Sequence, residues 1–222
     1  MIHAQSGCKS KSQSSLIFAL MIKLLANENN AFVNWVRIYD IDGGDMDLRK
    51  QRDKIAKPLY YASLAGLSEA SYILLEMRAD VNAQGGVYGN VLQAASYGGH
   101  EAITKLLIEK GADVNAQGGV YGNVLQAASY GGHEAIAKLL IEKGADVNAQ
   151  GGYYGNALHA ALYQGHEAIA KLLIDKGADV NAQGGYYVNA LQAALYKGHE
   201  AIAKLLIEKG AGVNTSQMHP GH

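Results

Sequence analysis

The chain has 222 residues, of which 49% are hydrophobic, so it is long enough to bury a core and is not expected to be disordered overall. Its formal net charge is −1, with acidic and basic residues mixed along the chain, which gives no electrostatic reason to expect nucleic acid or an anionic membrane as a partner. Cys8 is the only cysteine, so no intramolecular disulfide can form, and we expect a cytoplasmic protein.

The N-terminal quarter of the chain differs from the rest. Residues 1–14 are polar and predict a disordered leader. Residues 15–55 contain two segments, 16–25 and 32–39, that favour helices, and we expect them to form a helical N-terminal cap. Segment 16–25 follows two lysines in the manner of a signal peptide, but Lys23 interrupts it and it is too short to span a bilayer. We therefore favour a buried amphipathic helix over secretion or membrane anchoring.

Beyond this segment the chain repeats itself with a period of 33 residues. The sequence His-Glu-Ala-Ile recurs at His100, His133, His166 and His199, and Ala-Asp-Val-Asn recurs at the same spacing. A fixed period in this range predicts a stack of copies of one structural unit.

Residues 79–111 show what one copy should form. Gly85, Gly86 and Gly89 permit the positive φ angles of a tight turn, so residues 81–89 should project as a finger. Asn90 should cap a short helix that ends at residues 98–99, and Gln93 could return a hydrogen bond to the cap.

A second, longer helix should begin near His100 and stop at Gly111. Its predicted apolar stripe consists of Ala102, Ile103, Leu106 and Leu107. Because neither helix is long enough to be stable alone in water, each unit must pack against the next.

This unit resembles the ankyrin repeat. Consensus ankyrin residues have matches here, with equivalents in each later copy, at Leu92, Gly99, His100, Leu106, Leu107, Gly111, Ala112, Asp113 and Asn115. The chain departs from that consensus where Asn replaces threonine, Val or Ala replaces proline, and Gln replaces the first histidine except at His159. The resemblance implies an all-α ankyrin-repeat solenoid of stacked helix-turn-helix units with projecting β-turn fingers.

The repeat domain should cover residues 56–214, with one degenerate copy followed by four near-identical ones. Residues 57–80 fit as the degenerate copy, in which Arg78 stands where later copies have glycine. The N-terminal block is also similar to the segment that enters the ankyrin arrays of filamentous-fungal NACHT proteins. No Gly-x-x-x-x-Gly-Lys-(Ser/Thr) loop occurs in this sequence, so the nucleotide-binding domain of those proteins is absent from it.

The C-terminal end of the stack carries apolar residues that a further repeat would cover. We expect Leu195, Ile202 and Leu206 to leave an exposed apolar end, followed by a flexible tail at 215–222. Two alternatives follow from this end: end-to-end self-association, or a role as part of a larger protein.

Candidate metal and catalytic groups do not converge. The recurring histidines lie one repeat apart, so we expect structural hydrogen bonds rather than a zinc site, and His219 and His222 are poor evidence for a metal. The aspartates at residues 40–47 lack the spacing of a calcium loop. No nucleophile and base recur together, and we expect neither catalysis nor a cofactor.

The tyrosines are placed largely by the repeat, in the fingers and at the ends of the first helices. In ankyrin arrays these positions line the concave face that meets protein partners, which the resemblance implies here. The alternative, equally weighted, is that the rings stack on one another and brace the fingers. We predict a protein-binding face formed by Val87, Tyr88, Tyr97, Val120, Tyr121, Tyr130, Tyr153, Tyr154, Tyr163, Gln164, Tyr186, Tyr187, Tyr196 and Lys197.

Overall fold

The computed structural model describes residues 57–185 and 189–212. Within those ranges, ten helices pair into five helix-turn-helix units, so the predicted solenoid architecture is confirmed. The predicted leader, N-terminal cap and tail, together with Tyr186 and Tyr187, lie outside the described residues. The helices are α1 (Pro58–Leu64), α2 (Ser68–Glu76), α3 (Val91–Tyr97), α4 (Glu101–Glu109), α5 (Val124–Gly131), α6 (Glu134–Glu142), α7 (Ala157–Gln164), α8 (Glu167–Asp175), α9 (Ala190–Tyr196) and α10 (Glu200–Glu208).

The fingers between units are closed by short antiparallel pairing. In the second finger, β1 (Gln117–Gly118) pairs with β2 (Gly122–Asn123), so a small hairpin accompanies the helices. Single bridges such as Gln84 with Asn90 close the other fingers at equivalent positions. The predicted projecting turns are therefore present.

We call the first helix of each unit the inner helix and the second the outer helix. The inner helices α3, α5, α7 and α9 begin with the predicted asparagine caps, whereas Lys57 precedes α1 without a side-chain cap. The Asn90 Oδ1 accepts the backbone N–H of Gln93 at 2.8 Å, and the caps at the three later inner helices repeat this geometry. The predicted return bond from Gln93 to the cap is wrong. Its Nε2 donates instead to the carbonyl oxygen of Gly118 at 2.8 Å, because the next finger brings that carbonyl close to the side chain.

The apolar stripe of the outer helices is rotated from the prediction. Ile103 and Leu107 are fully buried, but Ala102 is exposed and Thr104 is buried in its place. The stripe turns because each outer helix packs against its own inner helix and against the neighbouring outer helices. Gly111 ends α4 with a φ of 91°, as predicted.

The histidines at the turns join successive units. The Nε2 of His100 lies 3.0 Å from the Leu64 carbonyl oxygen, and His133 and His166 make the same contact to the residues at 97 and 130. In the described part of the chain, no three His, Cys, Asp or Glu side chains group as metal ligands would. These three histidines therefore serve as hydrogen-bonding links.

The last unit differs from the expected apolar end in detail. Ile202 and Leu206 are buried, so the prediction that they are exposed is wrong, because α10 packs on α9 through them. Leu195 is exposed as predicted, with 56% of its surface accessible, and Ile207 of α10 is also exposed. In residues 57–185 and 189–212, no helix has the length and apolar character needed to cross a membrane.

Candidate functional site

The tyrosines of the fingers and of the inner helices interleave into one continuous stack. Successive ring centroids lie 4.3 to 5.3 Å apart along the whole series. Such offset or tilted contacts each add about 0.5–1.5 kcal/mol beyond the burial of area. We call this series the tyrosine column; its members in spatial order are Tyr88, Tyr97, Tyr121, Tyr130, Tyr154 and Tyr163.

The stacking follows from how each tyrosine is positioned. A finger tyrosine such as Tyr121 lies between Tyr97 at the end of the preceding inner helix and Tyr130 at the end of its own. Only 7% of the Tyr121 side chain is accessible, so it offers little surface to a partner. Ring faces that contact one another cannot contact a bound protein, and the other five members of the column are half-buried.

The hydroxyls of Tyr121 and Tyr154 stay protonated near neutral pH. Burial raises the pKa of Tyr121 and of Tyr154 well above the ordinary value for tyrosine. The neighbouring rings raise the pKa values further, and each of these hydroxyls makes a hydrogen bond with the tyrosine of the preceding inner helix. These two buried hydroxyls are therefore uncharged at neutral pH.

The finger tips form a second row beside the column. Val87, Val120 and Tyr153 are 40%, 44% and 55% exposed, which is high for large apolar side chains. Their backbones are linked, because the N–H of Val120 donates to the Val87 carbonyl oxygen at 3.0 Å and the N–H of Tyr153 donates to the Val120 carbonyl oxygen at 2.9 Å. We call these three residues the finger-tip row.

The C-terminal border of this surface carries the residues that vary between copies. Gln164 and Lys197 are exposed at the position that glycine occupies in the earlier copies. The Lys197 ammonium lies over the Tyr163 ring, 4.0 Å from its centroid, in a cation–π contact. Tyr196 is the most exposed large apolar residue of this border.

The fingers and inner helices carry almost no charge. Residues 81–99, 114–132 and 147–165 contain no Asp, Glu, Lys or Arg. Their one histidine, His159, is buried, and desolvation lowers its pKa, so it is neutral at neutral pH. Lys197 is the exception within the described part of this surface.

The structure thus brings the described members of the predicted face together, but in two roles. Six of them form the tyrosine column, and Val87, Val120, Tyr153, Gln164, Tyr196 and Lys197 are exposed. Sequence reasoning weighed stacking against partner contact without separating the residues. The signal that separates them is position in the finger, since the residue before Tyr121 or Tyr154 lies at the tip.

Comparisons with known proteins agree with this architecture. A family profile described as "Ankyrin repeats (3 copies)" matches residues 59–151, 92–184 and 125–218, and no catalytic domain is part of that match. The "Azaphilone pigments biosynthesis cluster protein L" of Monascus ruber is 44% identical over 93 residues, which cover 34% of this chain and 19% of that protein. The matched region therefore spans less than a fifth of that relative.

Proposed function

The chain belongs to the ankyrin-repeat family, whose repeats generally mediate protein–protein interactions, and from that premise we propose that it is a non-catalytic protein-binding module of the cytoplasm. We place the contact on the finger-tip row, with the edges of Tyr97, Tyr130 and Tyr163 beside it. Gln164, Tyr196 and Lys197 extend this surface toward the C-terminal copies.

The observation that carries the proposal is the exposure of the finger-tip row. Large apolar side chains that lie in line on a protein surface are typical of interaction sites. The backbone hydrogen bonds between successive tips hold these side chains at fixed positions. A partner would therefore meet a surface that is already ordered, which lowers the entropic cost of association.

The tyrosine column supports the same role indirectly. It fixes each finger against the inner helices on both sides, as the contacts of Tyr121 with Tyr97 and Tyr130 illustrate. A rigid scaffold that displays several side chains at once is how repeat proteins bind partners. The bracing role and the binding role then fall on different tyrosines of the same surface.

A capture experiment with a matched control tests this proposal. In the test variant Val87, Val120 and Tyr153 are changed to serine, and in the control variant the exposed outer-helix residues Ala102, Ala135 and Ala168 are changed to serine. Immobilised wild type and control should retain the same protein from a lysate of the source cells, and the test variant should lose it. Circular dichroism verifies that all three are folded. Equal retention by the test variant would remove the finger-tip row as the site.

A second candidate function is a regulatory or self-associating part of a larger fungal receptor. The observation that favours it is the exposed Leu195, because the equivalent Leu162 is fully buried by the next unit. The Monascus ruber relative supports the comparison, since the matched region is a small part of a longer protein there.

Sedimentation velocity distinguishes this second candidate from the first. The equivalent position is serine in two earlier copies, at Ser96 and Ser129, so Leu195→Ser introduces a residue that this position of the repeat accepts. If the last unit associates with another copy, the wild type should form dimers or longer species that the variant lacks. A wild type that stays monomeric at high concentration would argue against self-association.

A further inference from the structure

In the described part of the chain, the charged residues lie mainly on the outer helices and at the aspartates that precede each finger, namely Asp80, Asp113, Asp146 and Asp179. The outer helices α4, α6, α8 and α10 each carry Glu at the start, Lys in the middle and an acidic–basic pair at the end, as in Glu101, Lys105, Glu109 and Lys110. The fingers and inner helices between them carry no charged residue from 81 to 99, and the next two copies repeat this division. The chain is not poor in charge overall, so the uncharged face is a local property.

The buried polar groups behind this face do not add charge to it. His159 donates from Nδ1 to the Gly184 carbonyl oxygen at 3.0 Å, and it is buried as a neutral ring. The hydroxyls of Tyr121 and Tyr154 are engaged with neighbouring tyrosines. Apart from Lys197 at the C-terminal border, a bound partner would therefore face neutral hydroxyls, amides and apolar side chains.

The stacked rings also limit the recognition of cations at the tyrosine column; the exposed rings of Tyr153 and Tyr196 lie outside the column. A lysine or arginine of a partner would need the face of an aromatic ring within about 6 Å of its charge. Within the tyrosine column those faces are covered by the adjacent rings, with centroids as close as 4.3 Å. The Tyr163 ring is in addition covered by this chain's own Lys197.

These observations together indicate the chemistry of the partner. A charged side chain buried against a neutral face loses its hydration without gaining an opposite charge, which opposes binding. We propose that the finger-tip row binds a polypeptide segment that has apolar and aromatic side chains and no charged ones at the contact. This inference rests on the proposed function, because it assigns the kind of partner to the same surface.

The segment would contact the finger-tip row with its apolar side chains. Val87, Val120 and Tyr153 supply the apolar contacts, and Gln164 offers an amide that can pair with a peptide group of the segment. Association would then depend on apolar area and neutral hydrogen bonds, both of which are weakly affected by salt. Charge–charge contacts, by contrast, are screened as the Debye length falls from about 10 Å to about 3 Å between 0.1 and 1 M salt.

A selection with a random linear peptide library displayed on phage tests this inference with the full chain as the target. Peptides that bind the wild type are counter-selected against the variant with Val87, Val120 and Tyr153 changed to serine, which keeps only those that require the finger-tip row. The retained peptides should be depleted in Asp, Glu, Lys and Arg relative to the unselected library. Their dissociation constants should change by less than about twofold between 0.1 and 1 M salt.

The two possible failures are distinguishable. Peptides that require the finger-tip row but are enriched in charged residues, with affinities that fall about tenfold or more over the same salt range, would overturn the uncharged partner and leave the protein-binding face in place. A selection that yields no peptide dependent on the finger-tip row would overturn the proposed face, and the inference with it. A charged variant, Val120→Lys, should reduce binding of the uncharged peptides, whereas Ala135→Lys on α6 should not.

Discussion

The Nε2 of His133 lies 2.8 Å from the carbonyl oxygen of Tyr97, and the His133 ring covers Gly99 at the turn of the preceding unit. Gly99 has a φ of 76°, and a Cβ placed there would collide with the ring. Glycine is thus required here for two reasons: it adopts the positive φ without strain, and its lack of a Cβ leaves room for the histidine ring that joins the units.

Gly99→Ala should therefore destabilise the stack more than an alanine at a glycine of similar backbone. Gly111 is the matched control, because its φ is 91° and an added Cβ would meet no atom within 4 Å. Both substitutions place alanine in the left-handed backbone region, which should destabilise the protein by about 1–2 kcal/mol. The collision with the ring should add about 1–3 kcal/mol for Gly99→Ala alone. Urea denaturation followed by circular dichroism measures the difference, and equal costs would show that the ring moves aside freely.

Arg78→Gly should stabilise the first unit. Arg78 takes the position of Gly111 at the end of the preceding outer helix, and its φ of 63° is in the left-handed region that disfavours side chains. Removing that strain should raise the free energy of unfolding by about 1 kcal/mol. The greater conformational entropy of glycine in the unfolded chain offsets part of this gain. Urea denaturation checks this. Arg78→Lys retains the strain and should leave stability unchanged; a loss in Arg78→Gly would mean that the arginine makes a contact worth more than the strain.

Much of this fold could be predicted from single residues and their period. The Asn90 cap and the Gly111 stop depend on local backbone chemistry, which a sequence reports directly. The Gln93 bond could not be predicted, since it depends on where the next finger places the Gly118 carbonyl. Tyr121 and Tyr153 occupy different positions of the repeat, but which of the two positions is buried in the column and which is exposed at the tip depends on packing between units, which periodicity does not encode.

His159 should make stability depend on pH. Desolvation lowers its pKa in the folded protein, whereas in the unfolded chain it protonates near its ordinary pKa of about 6.5. At a pH between the two pKa values, the unfolded state therefore binds one more proton at His159 than the folded state does. The contribution of His159 to the free energy of unfolding is complete above a pH of about 6.5. It decreases as the pH falls toward the folded pKa, by at most about 1.4 kcal/mol per pH unit.

His159→Gln isolates this contribution. Glutamine occupies the same position in Gln93, whose Nε2 donates at 2.8 Å to the Gly118 carbonyl oxygen, the repeat equivalent of that of Gly184, so the variant can replace the bond to Gly184. The other histidines are common to both proteins and cancel in the comparison. The free energy of unfolding is measured at about pH 7.5 and about pH 5, on either side of the ordinary histidine pKa. It should decrease more for the wild type than for the variant. Parallel losses would mean that His159 gains its proton in both states alike.

Tyr121→Ala and Tyr153→Ala should separate the two roles of the tyrosines. Tyr121 is almost fully buried between two rings, so its removal should lower the free energy of unfolding by about 3 kcal/mol. Tyr153 is 55% exposed, but its ring contacts Tyr154 edge-on with centroids 5.0 Å apart, so its removal should lower the free energy of unfolding by only about 0.5–1.5 kcal/mol while weakening partner or peptide binding by about tenfold. Denaturation and a binding titration on the same preparations measure both quantities. A large stability loss in Tyr153→Ala would assign that residue to bracing, because a side chain that only contacts a partner contributes little to the folded chain alone.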